Sequence, residues 1–308
     1  MLPTAHTAIR PSQTVLLTGA TGFLGSHILA MLLREGHRVI ALTRNASNTH
    51  RVAGLLRQCM AIFNIDAGPL ATPFETNHID LIIHCATQYG RKTTDPRELI
   101  SANLTLPLSL LHHASRHDVT AFINSDTILD MNINAYALSK KQFREWLTFY
   151  SNQIQCCNVA LEHFYGPKDD QTKFVARIIH DLITEVDAIE LTAGHQKRDF
   201  VYIDDVVLAF SHIVDTVLQR PKGLHRFEVG TGHTTTIRDF VTLAAQLTHN
   251  RRTQLLFGKL PYRDNEIMES HVDTASLREL GWQPQVSLVD GLRTTIAEER
   301  VNLTASDQ

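Results

Sequence analysis

Short apolar runs alternate with helical stretches through the first half of the chain. Residues 14–18, 38–42, 60–65, 79–85, 119–124 and 158–161 are β-prone runs of strand length. Between them, residues 23–35, 98–116 and 135–150 carry apolar positions at helical spacing. In the first of these, Leu24, Ile28, Met31 and Leu32 share a face and Gly36 supplies a stop. The alternation predicts a parallel sheet with helices on both faces, which binds ligands outside the carboxyl ends of its strands. Gly19, Ser125 and the residues after Leu161 lie at such ends. Beyond Tyr165-Gly166-Pro167 the pattern is less regular. A helix is predicted over 173–185, strands over 200–203 and 226–229, a helix over 236–247 and a strand over 254–257. This half predicts a smaller lobe interleaved with the first. With no repeat, low-complexity tract or Pro/Ser-rich linker, the two lobes are expected to form one body with a cleft between them.

The run Thr18-Gly19-Ala20-Thr21-Gly22-Phe23-Leu24-Gly25 joins the first strand to the first helix, with its glycines three apart. Small residues there let the turn close, let backbone N–H groups approach a pyrophosphate, and let the helix pack on its strand. Strand, turn and helix in that order predict a dinucleotide site in a Rossmann-type doubly wound α/β sheet. A second stretch bears on the same site. Tyr136 and Lys140 stand four apart on a predicted helix, so the phenol and the ammonium share a face, and Ser125 lies just upstream. A neighbouring cation stabilises tyrosinate. Lys140 is therefore expected to lower the phenol's pKa from roughly 10 and to make Tyr136 a proton donor or acceptor near neutral pH. Alone, this spacing also fits a surface helix pair; the glycine-rich turn upstream changes its meaning.

Composition narrows the field. The 308 residues allow one large or two modest domains, and 43 % hydrophobic with 20 % charged residues describes an ordinary globule able to bury a core. A net charge of −3 gives no basis for general nucleic-acid binding. No apolar run is long enough to cross a bilayer, and residues 1–13 lack an apolar signal core and read as a frayed leader, so a cytoplasmic protein without a membrane partner is expected. Cys59, Cys85, Cys156 and Cys157 lack metal-type spacing, and the adjacent pair is poorly placed for a structural bridge, which fits reduced thiols. The 17 histidines are scattered; His112-His113 has no ligand set beside it, and no metal site is expected.

With these residues in view, the chain resembles the extended short-chain dehydrogenases/reductases that act on nucleotide sugars, from about Thr14 to about Glu299. The downstream stretches His163-Phe164-Tyr165-Gly166-Pro167, Lys197-Arg198-Asp199-Phe200-Val201-Tyr202-Ile203-Asp204-Asp205 and Arg263-Asp264-Asn265-Glu266-Ile267 carry the same resemblance. Within the family, Ala86-Thr87-Gln88-Tyr89-Gly90-Arg91-Lys92-Thr93, Leu161-Glu162-His163 and the run ending at Met268 are similar to 4-ketoreductases of CDP-4-keto-6-deoxy sugars, enzymes of deoxysugar and lipopolysaccharide biosynthesis. The resemblance implies an NADP-binding Rossmann domain over 1–165, with later segments such as 196–230 interleaved, and a smaller α/β domain for the nucleotide sugar over 166–308. It implies a homodimer built through the helices at 98–116 and 135–150, whose apolar faces are otherwise intradomain core.

The resemblance also implies roles. Tyr136 protonates a carbonyl oxygen, Lys140 lowers its pKa and holds the nicotinamide ribose, and Ser125 hydrogen-bonds the same oxygen. Gly19, Thr21, Gly22, Phe23, Leu24, Gly25 and Ala86 line the cofactor, and Asp66 touches the adenine amine. Asn103 lies near the site as a structural residue. Arg198 and Arg263 grip the sugar-nucleotide phosphates, a task that suits bidentate guanidinium. The other readings are a local Arg198–Asp199 ion pair and, for Arg263, solvated surface. Lys173 meets a phosphate or is surface charge; Glu266 holds a ribose hydroxyl or is surface too. Asp126 and His163 complete the expected substrate contacts. The chain also departs from the family. Tyr136 follows Ser125 by only eleven positions, the loop that usually carries a Tyr-Gly turn reads Ile128-Leu129-Asp130-Met131-Asn132-Ile133-Asn134, and Ala160 stands where an Arg is usual.

NAD sites usually place an acid after the second strand to accept from the adenosine 2′-OH. Here that strand runs into Leu42-Thr43-Arg44-Asn45, and Arg44 can meet a 2′-phosphate, so NADP(H) is expected over NAD(H), with plain surface as the other reading of Arg44. The family's dehydratases carry an Asp-Glu pair after the catalytic Ser/Thr; Asp126 is present but Thr127 replaces the glutamate. Reduction of a C4 keto group by NADPH is therefore expected. A nucleotide-sugar epimerase is the enzymatic alternative, and a non-catalytic NADP-binding sensor the alternative of another class. Such sensors tend to lose the Tyr or Lys that this chain keeps.

Overall fold

The structure is a computed structural model that describes residues 12–91 and 95–306. The expected leader therefore falls almost wholly outside the described residues, as do Lys92 and Thr93 of the family-like stretch. The strands are β1 (Thr14–Thr18), β2 (Arg38–Thr43), β3 (Ala61–Asn64), β4 (Leu81–His84), β5 (Ala121–Thr127), β6 (Gln155–Leu161), β7 (His163–Tyr165), β8 (Ala188–Leu191), β9 (Lys197–Tyr202), β10 (Leu224–Val229), β11 (Thr234–Thr236) and β12 (Gln254–Phe257). The helices are α1 (Phe23–Arg34), α2 (Ala53–Leu56), α3 (Thr72–Thr76), α4 (Pro96–Ile100), α5 (Leu106–Ala114), α6 (Ala135–Tyr150), α7 (Phe174–Ile183), α8 (Ile203–Val217), α9 (Ile237–Leu247), α10 (Ala275–Arg278) and α11 (Leu288–Ser306).

Seven strands form one parallel sheet in the order β10-β6-β5-β4-β1-β2-β3. The winding reverses between β1 and β4, so their connections leave toward opposite faces and open a crevice at the carboxyl edge. Thr18 is level with His84, and Gly19 and Cys85 therefore emerge side by side. Every residue of β1, β4, β5 and β6 is buried, as expected of parallel strands covered on both faces. Successive side chains feed two different cores: Cys157 packs with Ile28, Phe210 and Val229, whereas Cys156 packs with Phe122, Phe143 and Leu147. The adjacent cysteines are free thiols on opposite faces of the sheet.

β7, β9 and β11 make a second sheet, and β8 pairs with β12. Several stretches differ from the sequence expectation, among them β7, β8 and β11, which it did not include. The helix expected over 98–116 is interrupted by a π-helical turn, Ser101–Thr105, that turns Asn103 inward. The strand expected over 200–203 gives way at Ile203 to α8, most of whose length is buried. α11 also escaped notice, because polar residues such as Thr294, Thr295 and Asn302 dilute its apolar face.

Candidate active site

The glycine-rich turn meets the end of β4. Gly19 has φ +70°, and a Cβ there would lie 2.6 Å from the Ala86 nitrogen; a Cβ on Gly25 would collide with the Gly19 carbonyl oxygen. Thr18 Oγ1 fixes this junction by accepting from the Cys85 and Ala86 N–H groups at 3.2 and 3.1 Å, and lies 2.8 Å from His84 Nδ1. Burial, with the nearby Lys140 charge, holds the His84 pKa well below its ordinary value, so the ring is neutral. α1 begins at Gly22 with no side-chain cap and no acid in its first turn. Its first N–H groups are thus left for an anion, with the positive end of the helix dipole behind them. An uncapped helix start, a turn closed tightly enough that a Cβ on Gly19 or Gly25 would strike backbone, and a switch-point crevice fit the pyrophosphate of a dinucleotide.

Across the crevice, the Asn134 side chain caps α6 by accepting from Ala137 N at 2.9 Å, which sets Tyr136 in the first turn. Lys140, one turn on, is buried and its Nζ donates to the Ser125 carbonyl oxygen at 2.6 Å. Lys140 thus meets Ser125, and Tyr136 stands one helical turn before Lys140, but the electrostatics differ from expectation. Burial, then the neighbouring Tyr89 and Asp126, push the Tyr136 phenol well above its ordinary pKa, against weaker opposing contacts from the Thr87 and Thr127 hydroxyls. The expectation that Lys140 depresses that pKa is corrected: its ammonium is turned to the backbone of β5, and burial lowers its own pKa. The phenol is consequently held in its protonated form at neutral pH.

Asn103 ties this corner together. It accepts from Thr87 Oγ1 and Gln88 N at 3.1 and 2.8 Å, and donates to Gln88 O and Ser139 Oγ at 2.8 and 3.0 Å. Ser139 in turn donates to the Tyr136 carbonyl at 2.7 Å. Sequence reasoning gave no role to Thr87, Tyr89, Thr127 or Ser139; the nearness of the first two to Ala86, a cofactor candidate, was the available signal. Asp126, expected among the substrate contacts, is instead buried. It accepts from Arg144 Nε and Asn158 Nδ2, each at 2.7 Å, and from its neighbour Thr127 N at 2.8 Å.

The remaining candidates gather on the other wall. Arg198 is buried and ion-paired with Glu266. Burial lowers its pKa, opposed by the charges of Glu266 and Glu162, and Arg263 is close enough to add to the lowering. Arg198 does not pair with Asp199, whose carboxylate accepts from Thr231 and from Gly232 N. His163 Nδ1 contacts the buried Glu162 carboxylate, and Glu162 Oε1 has no hydrogen-bond partner among the described residues. Lys173 is largely buried. It pairs with Asp169 at 2.9 Å, and its ammonium stands 4.6, 5.2 and 5.5 Å from the rings of Phe164, Phe23 and Tyr89. It therefore bridges the glycine-rich turn and the Tyr136 corner. At the far end, Arg44 is exposed just beyond β2, and Asp66 accepts from Asn45 N at 2.8 Å, bracing the loop after that strand.

Comparison with known proteins agrees with this layout. Residues 15–230 match the model of the NAD dependent epimerase/dehydratase family. The chain belongs to that family. It is 33 % identical over 290 residues to CDP-abequose synthase of Salmonella typhimurium, covering 91 % of this chain and 96 % of the relative. It is 28 % identical over 312 residues to UDP-glucose 4-epimerase of Mycolicibacterium smegmatis, with 91 % and 96 % covered. Among solved structures, the UDP-glucose 4-epimerase of Thermotoga maritima, with UDP-glucose, superposes with a TM-score of 0.82 at 24 % identity over 94 % of this chain and 99 % of its own. An epimerase/dehydratase-family fold thus accounts for the seven-stranded sheet. Among the described residues no helix is long and apolar enough to cross a membrane, and no three His, Cys, Asp or Glu side chains gather as a metal ion would require.

Proposed function

We propose that this protein reduces the C4 keto group of a nucleotide-diphosphate 4-keto-6-deoxy sugar with NADPH, the nucleotide being CDP. The observation that carries the reading is the Tyr136 phenol, held protonated one helical turn before Lys140, whose ammonium donates to the Ser125 carbonyl oxygen. When bound, NADPH would supply the hydride for the carbonyl carbon. Tyr136 donates the proton to the oxygen, and the Ser125 hydroxyl steadies the charge that develops there. Lys140 holds the nicotinamide ribose. Gly19, Gly22 and Gly25 let the turn close so that its backbone N–H groups face the pyrophosphate, with Thr21, Phe23, Leu24 and Ala86 beside it, Arg44 toward a 2′-phosphate and Asp66 toward the adenine. The later part of the chain takes the sugar nucleotide, with Arg198, Arg263 and Lys173 as its phosphate ligands and His163 and Glu266 beside them. The Arg198–Glu266 pair must then loosen to admit substrate.

Reduction is favoured over dehydration because one of the two carboxylates needed for elimination is Thr127 and the other, Asp126, is committed to Arg144. The CDP-abequose synthase relative supports the same reaction class. The similarity to UDP-glucose 4-epimerase keeps a second reading, epimerisation with retained cofactor. Incubating the protein with NADPH and NDP-4-keto-6-deoxy sugars, with products analysed by NMR, separates the two. Loss of NADPH absorbance in step with conversion is expected; conversion without that loss overturns reduction. Tyr136→Phe should lower turnover by about 10²-fold or more with folding intact.

The proposed assembly is a homodimer. On α6, Trp146 and Phe149 are 40 % and 65 % exposed, an apolar surface that a second copy would cover. Light scattering of Phe149→Glu, expected to read as monomer where the parent reads as dimer, tests it.

A further inference from the structure

β6 ends at Leu161 and β7 begins at His163, with Glu162 between them. The Glu162 N–H donates to Val229 O at 3.1 Å, which carries the β6–β10 pairing one residue further, and its carbonyl accepts from Phe164 N at 2.7 Å. Neighbouring side chains on a strand point to opposite faces. The turn at Glu162 instead folds its carboxylate back onto the next residue. Oε2 accepts from His163 N at 2.8 Å and lies 2.5 Å from His163 Nδ1. The Glu162 side chain is 2 % exposed and that of His163 36 %. Arg198, which feels the Glu162 charge, donates elsewhere, to Glu266 and to Lys197 O. Burying a carboxylate is costly unless its oxygens are met, and Glu162 Oε1 is met by none among the described residues. The group is a poor brace for the fold, and the hydrogen bonds its side chain does make all go to His163.

We infer that Glu162 is a positioning residue that holds His163 in the tautomer with a bare Nε2, and that His163 recognises a hydroxyl of the sugar rather than the diphosphate. The inference rests on the nucleotide-sugar reading and divides its contacts, Arg198 and Arg263 for the phosphates and His163 for the hexose. His163 stands opposite Phe200 in the β7–β9 pairing, their rings 6.0 Å apart, and Arg198 lies two positions before Phe200 on the same strand. Imidazole and guanidinium thus rise from one face of the second sheet. An ionised carboxylate only accepts, so the proton lies on Nδ1 and the neutral ring offers Nε2 as an acceptor. A sugar hydroxyl has a proton to give to that nitrogen; an ionised diphosphate has none. A site built around such an acceptor rejects an analogue that lacks the hydroxyl.

Two measurements on the full chain test this. In protein labelled with ¹⁵N-histidine at neutral pH, with His163 assigned by its loss in His163→Phe, the ring should read as protonated at Nδ1 and bare at Nε2. Glu162→Leu should shift it toward the Nε2–H form. Glu162→Gln, whose amide oxygen can take the same two N–H groups, should restore the parent's pattern. Calorimetric titration with CDP and with CDP-glucose reads the ligand. His163→Phe and Glu162→Leu should weaken CDP-glucose about tenfold and CDP less than about twofold, and Glu162→Gln should weaken neither more than about threefold. Equal weakening of the two probes by His163→Phe would make His163 a phosphate ligand and overturn the inference, as would no weakening of either. A parent ring protonated on both nitrogens, or a Glu162→Gln protein that loses CDP-glucose about tenfold, would show the charge at work instead of the tautomer and overturn it too. If Glu162→Leu does not fold, the His163→Phe and Glu162→Gln arms decide. A parent protein that binds neither CDP nor CDP-glucose would overturn the CDP-sugar reading itself, and this assignment with it.

Discussion

The rings of Tyr89 and Tyr136 stand 5.0 Å apart, inclined at 41°. After burial, Tyr89 is the next largest influence raising the Tyr136 pKa. Removing the ring opens the phenol to water, which solvates the tyrosinate and lowers that pKa. Reduction needs the protonated phenol, so the rate holds below the pKa and falls above it. Tyr89→Ala should therefore move the alkaline limb of the kcat/KM profile to lower pH, and Tyr89→Phe should move it less. A Tyr89→Ala profile that superimposes on the parent's would break the link between the two rings.

Asn103 makes its hydrogen bonds inside a π-helical turn, and all of them go to groups that border Tyr136. Asn103→Leu leaves Gln88 N, Gln88 O and Ser139 Oγ without that partner in a buried place. The expected cost is about 2–4 kcal/mol, read from urea denaturation. Thr87 and the Ser139–Tyr136 contact then drift, so kcat should fall about tenfold with little change in cofactor KM. Full stability in this variant would mean that water replaces the amide without loss.

How much of this was legible in the sequence depends on how far apart the partners lie along it. Thr14–Thr18, the glycine-rich turn, and Ala135–Tyr150 with Tyr136 and Lys140 on one face are local patterns, and each stands where spacing placed it. The direction of the Tyr136 shift was not legible. It depends on Tyr89, brought to the phenol from 47 positions upstream, and on a Lys140 side chain turned to Ser125 O. Likewise Arg198 found Glu266 rather than its neighbour Asp199, because Asp199 was already held by Thr231 and Gly232.

Asp126 has a fully buried carboxylate whose charge is met by Arg144. Arg144→Met keeps most of the packing volume but leaves that charge buried with only Asn158 and Thr127 N–H donors. The expected loss is about 3 kcal/mol in chemical denaturation. Asp126→Asn on that background removes the charge and should restore most of the stability, a coupling that a double-mutant cycle reads directly. If the two losses simply add, the pair contributes no more than its separate parts.

Cys156 and Cys157 give the protein an alkaline weakness. Burial pushes both thiols from an ordinary 9.0 up to about 12. Above pH 9 the unfolded chain releases these protons while the folded chain keeps them, so the folded state binds more protons. Stability is therefore fully present below pH 9 and is lost as pH rises toward 12. Between pH 9 and pH 10 the pair should cost roughly 2 kcal/mol, since each unit of separation between folded and unfolded pKa is worth about 1.4 kcal/mol. Cys156→Ala/Cys157→Ala lowers stability at pH 8 by leaving small cavities, yet its urea midpoint should decline less steeply from pH 8 to pH 10.5 than the parent's. Parallel declines in the two proteins would place the alkaline sensitivity elsewhere, in groups such as Cys85 or Tyr165, whose pKa values burial also raises.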